Sequence, residues 1–306
     1  MTAARPSFHP ALRTALTAAG GLAAAGAAAG VWGAGIEPHL FAIRRFELPL
    51  LPAGHRDIRV LHVSDLHLAA WQRHKMSWVA RLSRLEPDFI INTGDNFGGQ
   101  TLPQVLRTFD GLLDVPGAFV LGSNDYYGPT FKNPLRYLTK PSEGSSGHGR
   151  PNLPTAQLVA AFEDRGWARL DNRSARVSIN GTRISLAGLG DAHIGLDRPG
   201  PAGPEFDPAA ELRLGVTHAP YTRALDPLVD AGAQALFAGH THGGQIRIPF
   251  WGAPVTNCDL PRDQARGLVD YRGVPLEISA GLGFSVFAPV RFASPPEVSL
   301  VTLTAP

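Results

Sequence analysis

Five short segments of this 306-residue chain carry residues of metal-ligand type directly after an apolar run. They are Asp65-Leu66-His67, Gly94-Asp95-Asn96, Gly122-Ser123-Asn124-Asp125, Thr217-His218 and Gly239-His240-Thr241-His242. One such segment would be weak evidence. A lone histidine such as His218 is usually an ordinary core or surface residue, and Asp65 could merely cap the helix that follows. Capping would leave His67 unexplained, and five segments in succession are hard to attribute to chance. Carboxylate, imidazole and amide donors together suit borderline to hard cations such as manganese, iron, zinc or magnesium, whereas copper(I) would want sulfur. Alternation in Asp65-x-His67 and His240-x-His242 predicts that both members of each pair lie on the same side of an extended segment. Glycines at 94, 122 and 239 are expected where the backbone turns sharply and a side chain would obstruct. Asp65, His67, Asp95, His218, His240 and His242, with Asn124 as a seventh candidate, are therefore expected to hold two divalent cations. A mononuclear metallohydrolase, and a binding module whose metals are weak or structural, are the competing readings.

Each segment needs an element to position it. Residues 58–64 form a short apolar run rich in branched side chains, read as a buried strand. A helix is predicted over 72–85, with apolar positions at Trp78, Val79, Leu82 and Leu85, and Pro87 closes it. A strand at 89–92, a helix at 102–112 and a strand at 118–121 follow. Repeated strand, polar loop and helix imply parallel pairing and an α/β core, with ligands at the carboxyl ends of the strands. Residues 139–154, rich in Gly, Ser and Pro, read as an excursion before a helix at 155–165. Asn180-Gly181 between two apolar stretches signals a hairpin, so the second half adds antiparallel strands. Further strands are expected at 212–217, 235–238, 276–279 and 298–303.

Composition narrows the class. With 44% hydrophobic and 18% charged residues, the chain can bury one large core, and a formal charge of +2 gives no support to general nucleic-acid binding. The single cysteine, Cys258, excludes an intramolecular disulfide and a thiolate-rich zinc site. Residues 14–36 contain no charge, follow Arg5 and Arg13, and are about as long as a membrane span. Most of them are Ala or Gly, and the triplets Ala23 to Ala25 and Ala27 to Ala29 also suit a signal-peptide cleavage region. The expected organisation is an export signal or membrane anchor with linker over 1–50 and a catalytic domain over 51–306. Its place is then at the membrane or exported beyond it, or the cytoplasm if the leader is not inserted; a soluble Ala-rich helix is the plainer alternative.

The series of motifs resembles that of the calcineurin-like metallophosphoesterase superfamily: D-x-H, G-D, G-N-H-D/E, a lone His, then G-H-x-H. The likeness runs from about residue 58 to the C-terminus. Gly239-His-Thr-His-Gly-Gly-Gln245, and a leader followed by Glu37 and Arg44-Arg45, are most similar to the YkuE/YaeI-type bacterial phosphoesterases. That resemblance implies a four-layer αββα sandwich with two mixed β-sheets flanked by helices. It also implies one metal on Asp65, His67, Asp95 and His242, with Asp95 bridging to a second on His218, His240 and an amide from the 122–125 loop. A bridging water or hydroxide would attack phosphorus in line. The implied substrate is a phosphomonoester or phosphodiester, with lipid-linked or envelope phosphoesters such as the UDP-diacylglucosamine type of pyrophosphate among the candidates.

One loop departs from the pattern. Aligned strictly, Ser123 takes the amide position and Asn124 that of the histidine thought to protonate the leaving group. A small local shift is preferred, because a neutral hydroxyl is a poor ligand beside an available amide. It brings Asn124 to the metal and leaves Asp125 beside the leaving group, which makes these two the candidate catalytic residues. Either way the acid histidine is missing, and general acid catalysis is typically worth about 10²–10⁴-fold. Slow turnover, or a leaving group that departs without strong protonation, is expected. Asp191 and His193 either line the substrate side of the cavity or form a plain turn. Tyr126, Tyr127, Lys132, Arg136, Tyr137 and Lys140 either grip a phosphate or headgroup or are solvated surface. His62 is expected to be packed in a strand.

Overall fold

Alternation along the strands sorts apolar side chains onto two faces, and in the computed structural model, which describes residues 10–129, 150–199, 205–284 and 286–306, both faces are covered. In β2 (Ile58–Val63), Ile58 and Val60 enter the core between two sheets, while Leu61 and Val63 pack under helices. In β3 (Phe89–Asn92), Phe89 and Ile91 face the inter-sheet core and Ile90 faces the helices. Burial on both faces is why these strands read as largely apolar runs, broken in β2 only by Arg59 and His62.

The first sheet has the order β1 (Ala42–Leu48), β12 (Glu297–Leu303), β2, β3, β4 (Gly117–Phe119), β5 (Ala168–Arg169). Strands β2 to β5 are parallel, and β12 runs antiparallel to β2. The second has the order β10 (Gly267–Tyr271), β11 (Val274–Ile278), β9 (Ala235–Ala238), β8 (Leu212–Thr217), β7 (Thr182–Leu189), β6 (Arg173–Ile179). Its four central strands are parallel and both edge strands antiparallel. Helices α2 (Arg73–Ala80), α3 (Leu102–Leu113) and α5 (Thr155–Glu163) cover the first sheet, and α6 (Thr222–Asp230) covers the second. In α3 the buried set Val105, Thr108, Phe109, Leu112 and Leu113 recurs at helical spacing, giving one apolar stripe. The result is the expected α/β sandwich of two mixed sheets between helical layers.

Local differences have local causes. The helix expected over 72–85 is α2 followed by a 3₁₀ turn, Arg81–Leu85, and it stops at Glu86 in a left-handed conformation. Pro87 excludes the α region for the residue before it. Asn180 and Gly181 both have positive φ, 51° and 86°, the requirement of a tight hairpin turn. Residues 139–149 of the Gly/Ser/Pro-rich stretch, and Lys132, Arg136, Tyr137 and Lys140, lie outside the described residues.

A boundary at residue 51 would cut the first sheet, because β1 pairs with β12 from Ala42↔Glu297 to Leu48↔Leu303. The Arg44 Nε donates to Glu297 at 2.9 Å, so part of the expected linker is built into the fold. Ahead of β1, α1 (Pro10–Val31) is apolar and exposed, and the helical run Pro10–His39 is long and apolar enough to cross a membrane by length and composition.

Candidate metal centre

The polar segments after β2, β3, β4, β8 and β9 meet at one end of the two sheets. Backbone bonds knit the first two together: Asp65 N–H donates to Gly94 O at 2.9 Å and His67 N–H to Asp95 O at 2.9 Å. Asp65, His67, Asp95, His240 and His242 all have left-handed backbone, with φ of 49°, 40°, 56°, 68° and 50°. The expectation that alternation along extended segments aligns the D-x-H and H-x-H pairs is therefore wrong in its cause. Sharp turns bring the members together, at a cost of ~1–3 kcal/mol per residue that the surrounding structure must offset. Gly122 and Gly239 serve close approach rather than a turn. A Cβ on Gly122 would sit 2.3 Å from Asp95 Oδ1, and one on Gly239 1.9 Å from Ser64 Oγ.

The gathered donor atoms are close. Asp95 Oδ2 is 3.3 Å from His67 Nε2 and 3.6 Å from His218 Nε2. Asp65 Oδ1 is 3.7 Å from His242 Nε2 and 3.9 Å from His67 Nε2. His240 Nδ1 is 3.2 Å from His218 Nε2. Two sets, Asp65 with His67 and His242, and Asp65 with Asp95 and His218, each have their ligand atoms within 4.8 Å of one another. The other oxygen of Asp65, Oδ2, accepts from the His240 amide at 2.9 Å and from the Ser64 hydroxyl. His218 Nδ1 donates to Thr93 O at 2.6 Å, and since a carbonyl can only accept, this leaves Nε2 of a neutral ring as the available donor to a cation.

Asp65 Oδ1 and His67 Nε2 are buried without a hydrogen-bond partner. Each such group costs ~1–3 kcal/mol unless something satisfies it. Carboxylate and imidazole atoms facing one another across under 5 Å suit a divalent cation.

Burial and mutual proximity pull the charges apart. Burial holds the Asp65 carboxyl above its ordinary range, against the opposing pull of His218. Burial also acts to raise Asp95, but His218, His67 and two bonds from Asn124 outweigh it and the net shift is downward. Burial acts to lower His218, and the carboxylates of Asp95, Asp191 and Asp65 overturn it, pushing the imidazole up to about 9. Burial first, then neighbouring cationic groups, hold His240 and His242 well below the usual histidine range. Each is neutral, as ligation requires.

The 122–125 loop differs from expectation at one residue. Asn124, in the short helix α4 (Ser123–Tyr126), donates from its backbone to Asp95 Oδ1 at 2.7 Å and from its side chain to Asp95 Oδ2 at 2.9 Å. It is therefore with the candidate ligands. Asp125 is not. It is fully buried, and its carboxylate accepts the backbone amides of Asp95, Asn96 and Gly122 at 2.8, 2.9 and 3.0 Å. With its oxygens committed to the loop backbone, it does not stand beside a leaving group; it clamps the two loops together.

Asp191 and His193 reach the site. Asp191 is buried and contributes to the raised His218, and its own carboxyl is pushed by burial up to about 7. The His193 ring lies 4.4 Å from that of His240, and its Nδ1 is 3.0 Å from the Tyr221 hydroxyl. His62 is packed, bonded to Glu277 of the other sheet and, at 2.9 Å, to Thr93.

Two buried cations carried no usable signal in the sequence. Arg291 is fully buried and donates to the carbonyls of Ala280, Gly281, Gly283 and Ser294, and its Nη2 lies 3.3 Å from His242 Nδ1. Lys75 is buried and donates to Leu66 O at 2.8 Å, between Asp65 and His67.

Comparison with known proteins agrees with this geometry. The family model described as calcineurin-like phosphoesterase matches residues 58–244. The UDP-2,3-diacylglucosamine pyrophosphatase LpxG of Chlamydia trachomatis is 27% identical over 89% of this chain and 92% of its own length. The metallophosphoesterase YkuE of Bacillus subtilis is 25% identical, covering 88% of this chain and 87% of the relative. The phosphodiesterase YaeI of Escherichia coli is 24% identical, covering 87% and 90%.

Proposed function

The chain belongs to the calcineurin-like phosphoesterase family and is a metal-dependent phosphoester hydrolase, and from this we propose that it works with two divalent cations on a lipid-linked phosphodiester or pyrophosphate at the membrane surface. The observation that carries the binuclear reading is the position of Asp95 Oδ2, 3.3 Å from His67 Nε2 and 3.6 Å from His218 Nε2. Asp65 is also near both groups, but its unbonded oxygen, Oδ1, lies 3.7 Å from His242 Nε2 and 3.9 Å from His67 Nε2, which assigns it to one cation and the bridge to Asp95.

In this reading Asp65, His67, Asp95 and His242 hold one cation, and Asp95, His218 and His240 hold the other, with Asn124 as its amide ligand. Cations held by these residues would supply a lowered pKa for a bound water and charge neutralisation at the phosphoryl oxygens. The chain itself supplies position. Asp125 and Lys75 fix the loops that carry Asp95, Asp65 and His67. Burial keeps bulk water from the ligand atoms, and His193 and Tyr221 border the side of His240. No histidine occupies the loop position from which the family protonates its leaving group, so good leaving groups are favoured. A lipid-linked substrate is supported by the likeness to LpxG and by the apolar helix α1 beside the catalytic domain. The proposed location is the cell envelope, with α1 as the attachment, a reading supported by the length and apolar composition of that helix.

The test is hydrolysis by the full chain with manganese, zinc, iron or magnesium, comparing chromogenic mono- and diesters with UDP-diacylglucosamine in mixed micelles, alongside elemental analysis. About two metals per chain and preference for the lipid substrate are expected. One metal at full activity would replace the binuclear reading with a mononuclear one. Equal rates on soluble and lipid esters would remove the lipid assignment.

A further inference from the structure

Residues 246–252 form a tight finger with its apolar side chains in solvent. Ile248 and Gly252 form an antiparallel bridge, and Trp251 and Gly252 N–H groups both donate back to Ile248 O at 3.1 and 2.9 Å. At the tip Phe250 is fully exposed and held at a φ of 66°, a conformation that bulky side chains rarely adopt, while Ile248 and Trp251 are about half exposed. Two arginines frame the tip. Arg247 precedes it, and the Arg262 guanidinium stands 4.6 Å from the Trp251 ring centroid. Aromatic rings beside arginines are the composition of surfaces that sit at a bilayer's headgroup level.

Its position names the occupant. Ile246 bridges Phe292, and Arg247 N–H donates to Phe292 O at 2.8 Å. The same segment holds the end of the apolar helix. Arg291 N–H donates to Gly33 O at 2.8 Å, and Glu37 accepts from Ala293 and Ser294 and from the Trp32 indole. Finger and helix exit are thus fastened to neighbouring residues of one strip, 291–294, and Trp32, Ile36 and Leu40 at the exit are exposed as well. We propose that the 246–252 finger is a second membrane contact: Ile248, Phe250 and Trp251 enter the interface of the bilayer that α1 occupies, with Arg247 and Arg262 against anionic headgroups. Two points of attachment joined through Arg291, which touches His242, hold the metal centre at a set orientation to the lipid. This rests on the membrane-anchored reading of α1.

The test uses the full chain with Cys258→Ser, reconstituted in phosphatidylcholine–phosphatidylglycerol vesicles, with spin labels placed singly through Ala24→Cys, Phe250→Cys and Arg176→Cys. Arg176 lies on β6, at the edge of the second sheet opposite β10. Collision with oxygen and with a water-soluble nickel chelate reports depth. Labels at 24 and 250 are expected to favour oxygen, and the label at 176 the chelate. Lipid exposure at 24 with full aqueous exposure at 250 overturns the finger while leaving the anchor intact. Aqueous exposure at both sites overturns the anchor and the finger together. In parallel, Phe250→Ser with Trp251→Ser is expected to lower hydrolysis of a vesicle-borne ester several-fold and leave a soluble chromogenic ester unchanged; equal effects on both would also overturn it.

Discussion

Asp125 sits beneath Asp95 and accepts its backbone amide at 2.8 Å, so the carboxylate that shapes the centre is one that never faces the substrate. The same group holds the amides of Asn96 and Gly122. Asp125→Asn keeps the shape but turns a donor toward amides that can only donate. We expect a loss of ~1–3 kcal/mol in stability, read by denaturant unfolding, together with weaker metal binding. Unchanged metal affinity would show that the clamp does not matter to the site.

Asp95→Asn removes the shared carboxylate from between His67 and His218. Activity should fall by more than about 100-fold, and one metal of the expected pair should be lost on elemental analysis. Undiminished activity would refute the bridge.

Metal uptake should release protons. In the metal-free protein the neighbouring carboxylates overturn the effect of burial and hold His218 up at about 9, so near neutral pH its ring is charged. A cation needs the neutral ring, and its binding therefore displaces a proton. Affinity should rise with pH and level off above the raised value, and fall as acid restores the imidazolium. Calorimetry in buffers of different ionisation enthalpy measures the protons released; none released near neutrality would contradict this.

Arg291→Met should uncouple the centre from its support. Four carbonyls lose a donor, and His242 loses the guanidinium 3.3 Å from its Nδ1. Metal-free stability is expected to drop by at least ~1–3 kcal/mol. The metal-dependent gain in stability should shrink as well, a second readout that a purely structural role for Arg291 would not move.

Replacing Ser123→Asn and Asn124→His together restores the family's loop. For esters with poor alkyl leaving groups the rate should rise by about 10²-fold or more, whereas nitrophenyl esters should change little. Equal effects on both would mean that the missing acid is not what limits turnover.

The order and identity of the candidate ligands were legible in the sequence because each follows an apolar run, and strands buried on two faces announce themselves by composition. The two-sheet architecture was legible through resemblance and through the Asn180-Gly181 hairpin. Strand β1 was not: Arg44, Arg45 and Glu47 make it look like linker, and its partner β12 lies at the other end of the chain. Nor were the roles of Asp125, Arg291 and Lys75, since a buried charge is defined by the carbonyls and amides it meets, and these come from residues remote in sequence. The pairing of Asp65 with His67, and of His240 with His242, was inferred from a two-residue period, yet left-handed turns produce it. A repeat in sequence can specify which groups are near one another along the chain. Only packed neighbours, such as Gly281 against Asp65 and Gly283 against His67, can hold a backbone in a conformation it would not adopt alone.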